Sequence, residues 1–255
     1  MILAIDIGNT TVGLCGLEGG SVCFEAHLDT TPQRSAAEYR LGMRGAFSAC
    51  GLGDSPRFEG AVLTSVVPSL TPVLCSCAAE FSQNPPLVAH AGLASGLRLG
   101  ISQTGTLGMD RLADAAAAAE YYPLPVITVD MGTATTFNVV DRDRVFRGGA
   151  IAPGLLTGLN ALHEKTAQLP LLEPETPRQA IGTDTTQCIL SGTVCGAAAL
   201  TDGMAARFEE ELGEPAHLIL TGGLSRWAAP LCRHPLTRDE HLLVKGLALL
   251  YRLNR

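Results

Sequence analysis

Charge is scarce in this sequence. Asp, Glu, Lys and Arg make up 17% of its 255 residues, against 46% hydrophobic. Such a balance excludes a disordered chain, which combines high charge with few apolar residues. It leaves apolar matter for one large or two modest cores. Long apolar runs are also lacking, since none reaches the roughly 18 residues that would cross a bilayer. Asp6 breaks the first run and no basic stretch precedes it, so neither a span nor a secretory leader is expected, and a cytoplasmic location is. Cations are the scarcer charge: 18 Lys and Arg face 25 Asp and Glu, for a formal net charge of −7. That deficit argues against nucleic acid, because a phosphate backbone needs clustered Lys and Arg. A single nucleotide is still allowed, because loops and a metal can hold it locally.

Several motifs are missing. The eight cysteines include a C-x-C at Cys75 and Cys77 but no C-x-x-C, which argues against a zinc knuckle. Cys188 and Cys195 lie in an Ala/Gly-rich segment that suits small apolar helix residues, and reduced thiols are expected throughout. The six histidines form no H-E-x-x-H, and His163, His217 and His241 read as surface or packing residues. There is no Walker A loop, no G-x-S-x-G elbow and no H-R-D loop. No G-x-G-x-x-G follows the first apolar run, so a dinucleotide-binding fold is also disfavoured.

The chain does contain one arrangement twice. An apolar run enters Asp6, turns at Gly8-Asn9 and leaves through Thr10-Thr11-Val12. The run Val126 to Val129 enters Asp130, turns at Gly132-Thr133 and leaves through Thr135-Thr136-Phe137. Both read as β-hairpins of the form strand, D-x-G, small polar residues, strand. A repeat spaced 124 residues apart (Asp6 to Asp130) points to two similarly built lobes rather than a solenoid.

Between and after them, Gly60 to Val67 reads as a buried strand stopped by Pro68. Arg111 to Glu120 is an Ala-rich helix stopped by Pro123 and Pro125. Leu200, Met204, Phe208 and Leu212 recur every four residues, with Gly213 as a C-cap. His217 to Leu220 is a strand, 241 to 252 a closing helix, and Leu169 to Arg178 a proline-rich surface crossing. Strands alternating with helices give an α/β class. The lobe boundary is expected near Pro123 to Pro125, dividing the chain into 1–124 and 125–255.

Asp6 to Gly13 offers phosphate-binding chemistry. Gly8 lets the turn approach closely, and Asn9, Thr10 and Thr11 can donate to phosphate oxygens. Asp6 would repel phosphate directly, so a bridging Mg²⁺ is its natural partner. An ordinary D-G turn has the same form, and it is the second copy, richer in hydroxyls, that favours a nucleotide. The Gly148-Gly149-Ala150 and Gly222-Gly223 stretches read as further loops able to approach it. Asp110 and Arg111 open the Ala-rich helix, where the cation and the helix dipole both favour an ionised carboxylate. Such an Asp can take a proton from a substrate hydroxyl, while Arg111 can hold a carboxylate or phosphate. A plain N-cap Asp beside a solvated Arg fits the same residues.

In order and spacing these motifs resemble type III pantothenate kinase along most of the chain. The matching pieces are D-I-G-N-T at 6–10, S-V-V-P-S-L at 65–70, G-x-D-R at 108–111 and D-x-G-T-A-T-T at 130–136. They continue with G-G-A-I-A-P-G-L at 148–155, T-A-Q-L-P at 166–170, G-x-x-T-x-x-x-x-x-S-G at 182–192 and T-G-G-L at 221–224. The resemblance implies two actin/ribonuclease-H-like lobes around a nucleotide cleft, ATP-dependent phosphorylation of pantothenate, and a homodimer. It also implies Mg²⁺ with ATP and a monovalent cation, K⁺ or NH₄⁺. By residue, Asp6, Ile7, Gly8, Asn9, Thr10, Thr11, Val12 and Gly13 would form the first phosphate loop, and Thr133 would also meet the nucleotide. Asp110 would be the general base, in a pantothenate pocket with Gly108, Met109 and Arg111. Asp130 would hold the monovalent cation, and Thr185 would contact pantothenate near the dimer interface.

The resemblance weakens on the acceptor side. Where the family carries G-P-G-x-K-T-G and then a tyrosine, this chain has Gly92 to Arg98 and Ile101, and Met109 replaces the alanine of G-A-D-R. The phosphate loops are spared. Two other readings therefore stand beside the first: a kinase of another small hydroxylated acceptor, and a non-catalytic nucleotide-binding relative.

Overall fold

A computed structural model describes all 255 residues. In chain order the first elements are β1 (Ile2–Ile7), β2 (Thr11–Glu18), β3 (Ser21–Asp29), α1 (Ala36–Ala49), β4 (Gly60–Ser65), α2 (Thr71–Phe81) and β5 (Leu87–Val88). There follow β6 (Arg98–Leu99), α3 (Met109–Tyr121), β7 (Val126–Met131), β8 (Ala134–Val140), β9 (Val145–Pro153) and α4 (Leu155–Lys165). The last are α5 (Thr185–Leu190), α6 (Gly196–Leu212), β10 (His217–Thr221), α7 (Ser225–Ala228), β11 (Leu236–Arg238) and α8 (Leu242–Leu253).

They form two compact units. The first contains Met1–Gly96, Gln103–Ala117 and His241–Arg255, and the second contains Leu97–Ser102 and Ala118–Glu240. Compared with a division into 1–124 and 125–255, the closing helix α8 joins the first unit, β6 joins the second, and the later crossing falls within α3. α8 belongs there because its buried Leu247, Leu250 and Tyr251 cluster with Ile2, Ala4 and Val62 of β1 and β4. Gly60 makes room for the Tyr251 ring, which a Cβ would strike.

In the first unit the sheet order is β3-β2-β1-β4-β5. β1, β2 and β3 are antiparallel neighbours, and β4 and β5 run parallel to β1. β1 is apolar on both faces because both are covered. Leu3, Ile5 and Ile7 meet Tyr39, Met43 and Phe47 of α1 and Leu74 and Phe81 of α2. Ser35 starts α1 with a reciprocal capping box to Glu38.

In the second unit the order is β11-β10-β7-β8-β9-β6. Taken from β9, the run β9-β8-β7-β10-β11 repeats the order and strand directions of the first sheet. The hairpin repeat in the sequence is thus the visible part of a duplicated ribonuclease-H-like sheet. β6 is an addition, parallel to β9. The helix expected from Leu200 forms and is capped by left-handed Gly213. Its fully enclosed positions are the small Ala198, Thr201 and Ala205, with Leu200 on the exposed side. α5 and α6 are joined by a π-helical turn at Ser191–Cys195. The resulting helix, Thr185–Leu212, is long and apolar enough to cross a membrane by length and composition. Its first 17 residues carry no charge but include the polar Thr185, Thr186, Gln187, Ser191 and Thr193, and Asp202, Arg207 and Glu209 to Glu211 follow. All eight cysteines are free thiols.

Candidate active site

The first Asp-x-Gly turn joins β1 to β2. Asp6 pairs with Gly13 and Ile7 with Val12 in the ladder, and the Gly8 N–H closes the turn on the Thr11 carbonyl at 2.9 Å. Ile7 and Val12 are fully buried in the core, so only their backbones face the turn. Asn9, Thr10 and Thr11 are exposed. A Cβ on Gly13 would find only ordinary contacts, whereas one on Gly8 would press on the Thr11 carbonyl at 3.1 Å. Thr30, just past β3, reaches the turn twice. Its hydroxyl donates to the Gly8 carbonyl at 2.7 Å and its N–H to the Thr10 carbonyl at 2.9 Å. Behind it, the buried Tyr39 hydroxyl donates to the Thr31 carbonyl (3.1 Å) and accepts the Thr31 N–H (2.9 Å).

α3 brings a second carboxylate to the same unit. The helix begins at Met109, so Asp110 lies inside its first turn rather than at the cap. Asp110 Oδ1 accepts the Arg111 N–H at 2.8 Å. A Cβ on Gly108, just before the helix, would press on Asp110 Oδ1 and oblige that carboxylate to swing away. The charge of Asp110 reaches Asp6. Burial, and secondarily the charge of Asp110, raise the Asp6 carboxyl from 3.8 to about 6. Burial also lowers the Arg111 guanidinium from its usual range, while Asp110 pulls the other way. Asp6 and Arg111 thus both feel the charge of Asp110.

The second turn has a related build. Asp130 pairs with Thr136 on one side and Thr221 on the other. The Gly132 N–H donates to the Ala134 carbonyl at 3.0 Å, and Thr133 is exposed at the tip. The Thr133 carbonyl accepts the Thr157 hydroxyl at 2.7 Å and the Gly154 N–H at 3.2 Å. Gly222, at φ +82°, leaves no space for a Cβ against Asp130 Oδ1 and the Met131 backbone. The buried Ser225 hydroxyl fixes that bend by donating to the Gly222 carbonyl at 2.7 Å. The Gly222-Gly223 reading thus finds its turn beside Asp130. Gly148, Gly149 and Ala150, expected as a loop, instead lie within β9, next to the irregular register at Val139/Val140. Gly149 is small because the Phe137 carbonyl occupies the place of a side chain.

Thr185 opens α5 on the rim of an open cavity of about 700 Å³. Leu162, Leu169 and Ile189 give it apolar walls, and Thr183, Asp184 and Thr193 give it polar ones. Every residue lining it belongs to the second unit, whereas Gly108 to Arg111 belong to the first. Of the two departures from the family pattern, Ile101 lies beside Gly148 in the second unit and Met109 is half-buried at the start of α3. Thr30 and Thr157 escape a sequence reading because they act 22 and 24 residues away from the carbonyls they cap. The only local hint is a hydroxyl residue shortly after the third strand of each sheet.

Residues 2–207 match a family model described as type III pantothenate kinase. A type III pantothenate kinase of Anaeromyxobacter sp. is 36% identical over all 255 residues, with each chain covered completely. One from Dehalococcoides mccartyi is 35% identical over this whole chain and 96% of its own length. Among solved structures, a protein of Campylobacter jejuni assigned to the Baf family of transcriptional activators superimposes with a TM-score of 0.62. It is 18% identical and covers 98% of this chain and 97% of its own. A ROK hexokinase from Thermus thermophilus gives 0.51 at 13% identity, covering 98% and 97%. At those identities the likeness is one of fold.

Proposed function

The chain belongs to the type III pantothenate kinase family, and on that premise we propose that it transfers the γ-phosphoryl group of ATP to the hydroxyl of pantothenate, opening coenzyme A synthesis. The observation that carries this reading is the full-length match to that family, with Asp6 and the exposed Asn9, Thr10 and Thr11 forming one turn in this chain. Asp110 Oδ1 is engaged by the Arg111 N–H, which leaves Oδ2 for the proton of the incoming hydroxyl. Asn9, Thr10, Thr11 and Thr133 donate to phosphate oxygens, and Arg111 holds the anionic end of the acceptor or the moving phosphoryl group. Phosphoryl transfer depends mainly on such positioning and charge neutralisation.

No three His, Cys, Asp or Glu side chains stand close enough to hold a metal unaided. A Mg²⁺ carried by the nucleotide and met by Asp6 alone fits that donor set, since Mg²⁺ commonly takes one or two carboxylates with phosphates and water. When bound it neutralises charge on the β- and γ-phosphates. Asp130 would serve a K⁺ or NH₄⁺ ion, and Thr185 the acceptor. The working form would be a homodimer in the cytoplasm, where eight free thiols are at home.

The test is ADP release by purified protein with Mg²⁺-ATP, with and without pantothenate, in K⁺ and in Na⁺. Turnover should require pantothenate and rise in K⁺. Asp110→Asn should lower kcat by about 10²–10⁴-fold, the usual contribution of a positioned base. Turnover with another hydroxylated acceptor but not pantothenate would transfer the assignment, with Ile101 and Met109 as its first suspects. ATP binding without turnover on any acceptor would favour the non-catalytic alternative.

A further inference from the structure

Both Asp-x-Gly turns are held by the same device. A turn that receives phosphate must present N–H and O–H groups and keep its carbonyl oxygens occupied, because an open carbonyl repels an anion. In the first turn, Thr30 alone takes both the Gly8 and the Thr10 carbonyls, one with its hydroxyl and one with its N–H. In the second, the Thr133 carbonyl is taken twice, by the Thr157 hydroxyl and the Gly154 N–H. The peptide unit is planar and trans, so its C=O and N–H point opposite ways. Pinning the Gly8 carbonyl therefore aims the Asn9 N–H, and pinning the Thr133 carbonyl sets the plane of the Thr133–Ala134 peptide.

The two threonines come from corresponding sides of the duplicated sheets, though each pins a different peptide: Thr30 the carbonyl two residues after Asp6, Thr157 the carbonyl three residues after Asp130. Thr30 follows directly on β3, the third strand of its sheet, and Thr157 stands in the first turn of α4, just after the corresponding β9. Their hydroxyl bonds have the same length, 2.7 Å. Neither residue belongs to an Asp-x-Gly motif.

We propose that Thr30 and Thr157 are a matched pair of positioning residues, each orienting one phosphate turn by donating its hydroxyl to a carbonyl of that turn. The pair rests on the reading of the turns as phosphate sites. Its effect falls on nucleotide affinity, without a share in proton transfer. Thr30 matters more, because its bond is partly buried whereas that of Thr157 is open to competing water.

The test uses Thr30→Val and Thr157→Val, which keep the side-chain shape and remove the hydroxyl, with Thr30→Ser and Thr157→Ser as restoring variants. Mg²⁺-ATP affinity is measured by titration calorimetry, beside the KM for each substrate and the thermal midpoint. Thr30→Val should weaken Mg²⁺-ATP binding about three- to tenfold, the worth of one ordinary hydrogen bond, and Thr157→Val less. The KM for pantothenate should stay unchanged, and serine should restore affinity in both. Valine variants that bind Mg²⁺-ATP like the parent overturn the proposal. So do losses spread equally over both substrates and not recovered by serine, which mark a role in stability alone. Should Thr30→Val fail to fold, the Thr157 variants and Thr30→Ser decide. Asp6→Asn, titrated alongside, separates the two levels. If it weakens Mg²⁺-ATP and the valines do not, only the pair fails; if it too binds normally, the phosphate reading fails with it.

Discussion

Asp6 holds its proton more tightly than an exposed carboxyl does, because burial and then the charge of Asp110 disfavour its ionised form. A divalent cation needs that carboxyl ionised. Affinity for Mg²⁺-ATP should therefore be full at neutral pH and decline as pH falls through about 6. Folding responds with the opposite slope: the folded chain keeps a proton that the unfolded chain releases. The Asp6 contribution to stability is present below 3.8 and is lost as pH rises through about 6. Asp110→Asn removes the neighbouring charge, lowers the Asp6 pKa, and should shift the decline in Mg²⁺-ATP binding to lower pH. Dissociation constants measured between about pH 5 and 8 for both proteins test this. A decline at the same pH in both would mean that the two carboxylates do not share a site.

At the scale of the element, the hairpins are legible in the sequence because their signals are local: an apolar run, an acid, a glycine, then hydroxyls. The second Gly-Gly stretch is legible only in part, because whether a glycine is needed depends on what stands opposite it. Gly222 is left-handed and faces Asp130 and Met131, whereas a Cβ on neighbouring Gly223 would meet nothing within 4 Å. Gly222→Ala should cost about 1–3 kcal/mol of stability, as expected for a residue forced into a sparsely populated conformation. It should also weaken the response to K⁺ by displacing Asp130. Gly223→Ala should leave both unchanged. Urea unfolding and cation titration of the two variants check the contrast, and equal effects would show that the bend is not specific to Gly222. Gly148-Gly149 illustrates the limit of local reading: the same dipeptide lies in a strand because the Phe137 carbonyl comes so near. Thr30 and Thr157 mark that limit too, since only the folded sheets bring them to their turns.

At the scale of the whole molecule, the least legible features depend on partners distant in sequence. α8 reads as a closing helix, but its unit is decided by Ile2, Ala4 and Val62 at the other end of the chain. Exposed apolar side chains raise the same question about partners outside the chain. Of the ten large hydrophobics left exposed, six (Ile151, Leu156, Leu162, Leu171, Ile181 and Leu200) fall within 151–200 of the second unit. Ile181 is 82% exposed and lies four residues before Thr185 on the cavity rim. These side chains are candidates for contact with the second copy of this chain proposed above as its partner. Ile181→Asp would bury a charge in that interface, so it should shift the protein towards monomer on dilution. Sedimentation velocity over a range of concentrations reads this directly. Because Thr185 is close by, the variant's KM for pantothenate should rise as it dissociates, with the KM for ATP much less affected. A parent protein that sediments as a monomer at every concentration would remove the dimer, leaving Thr185 to act within a single chain.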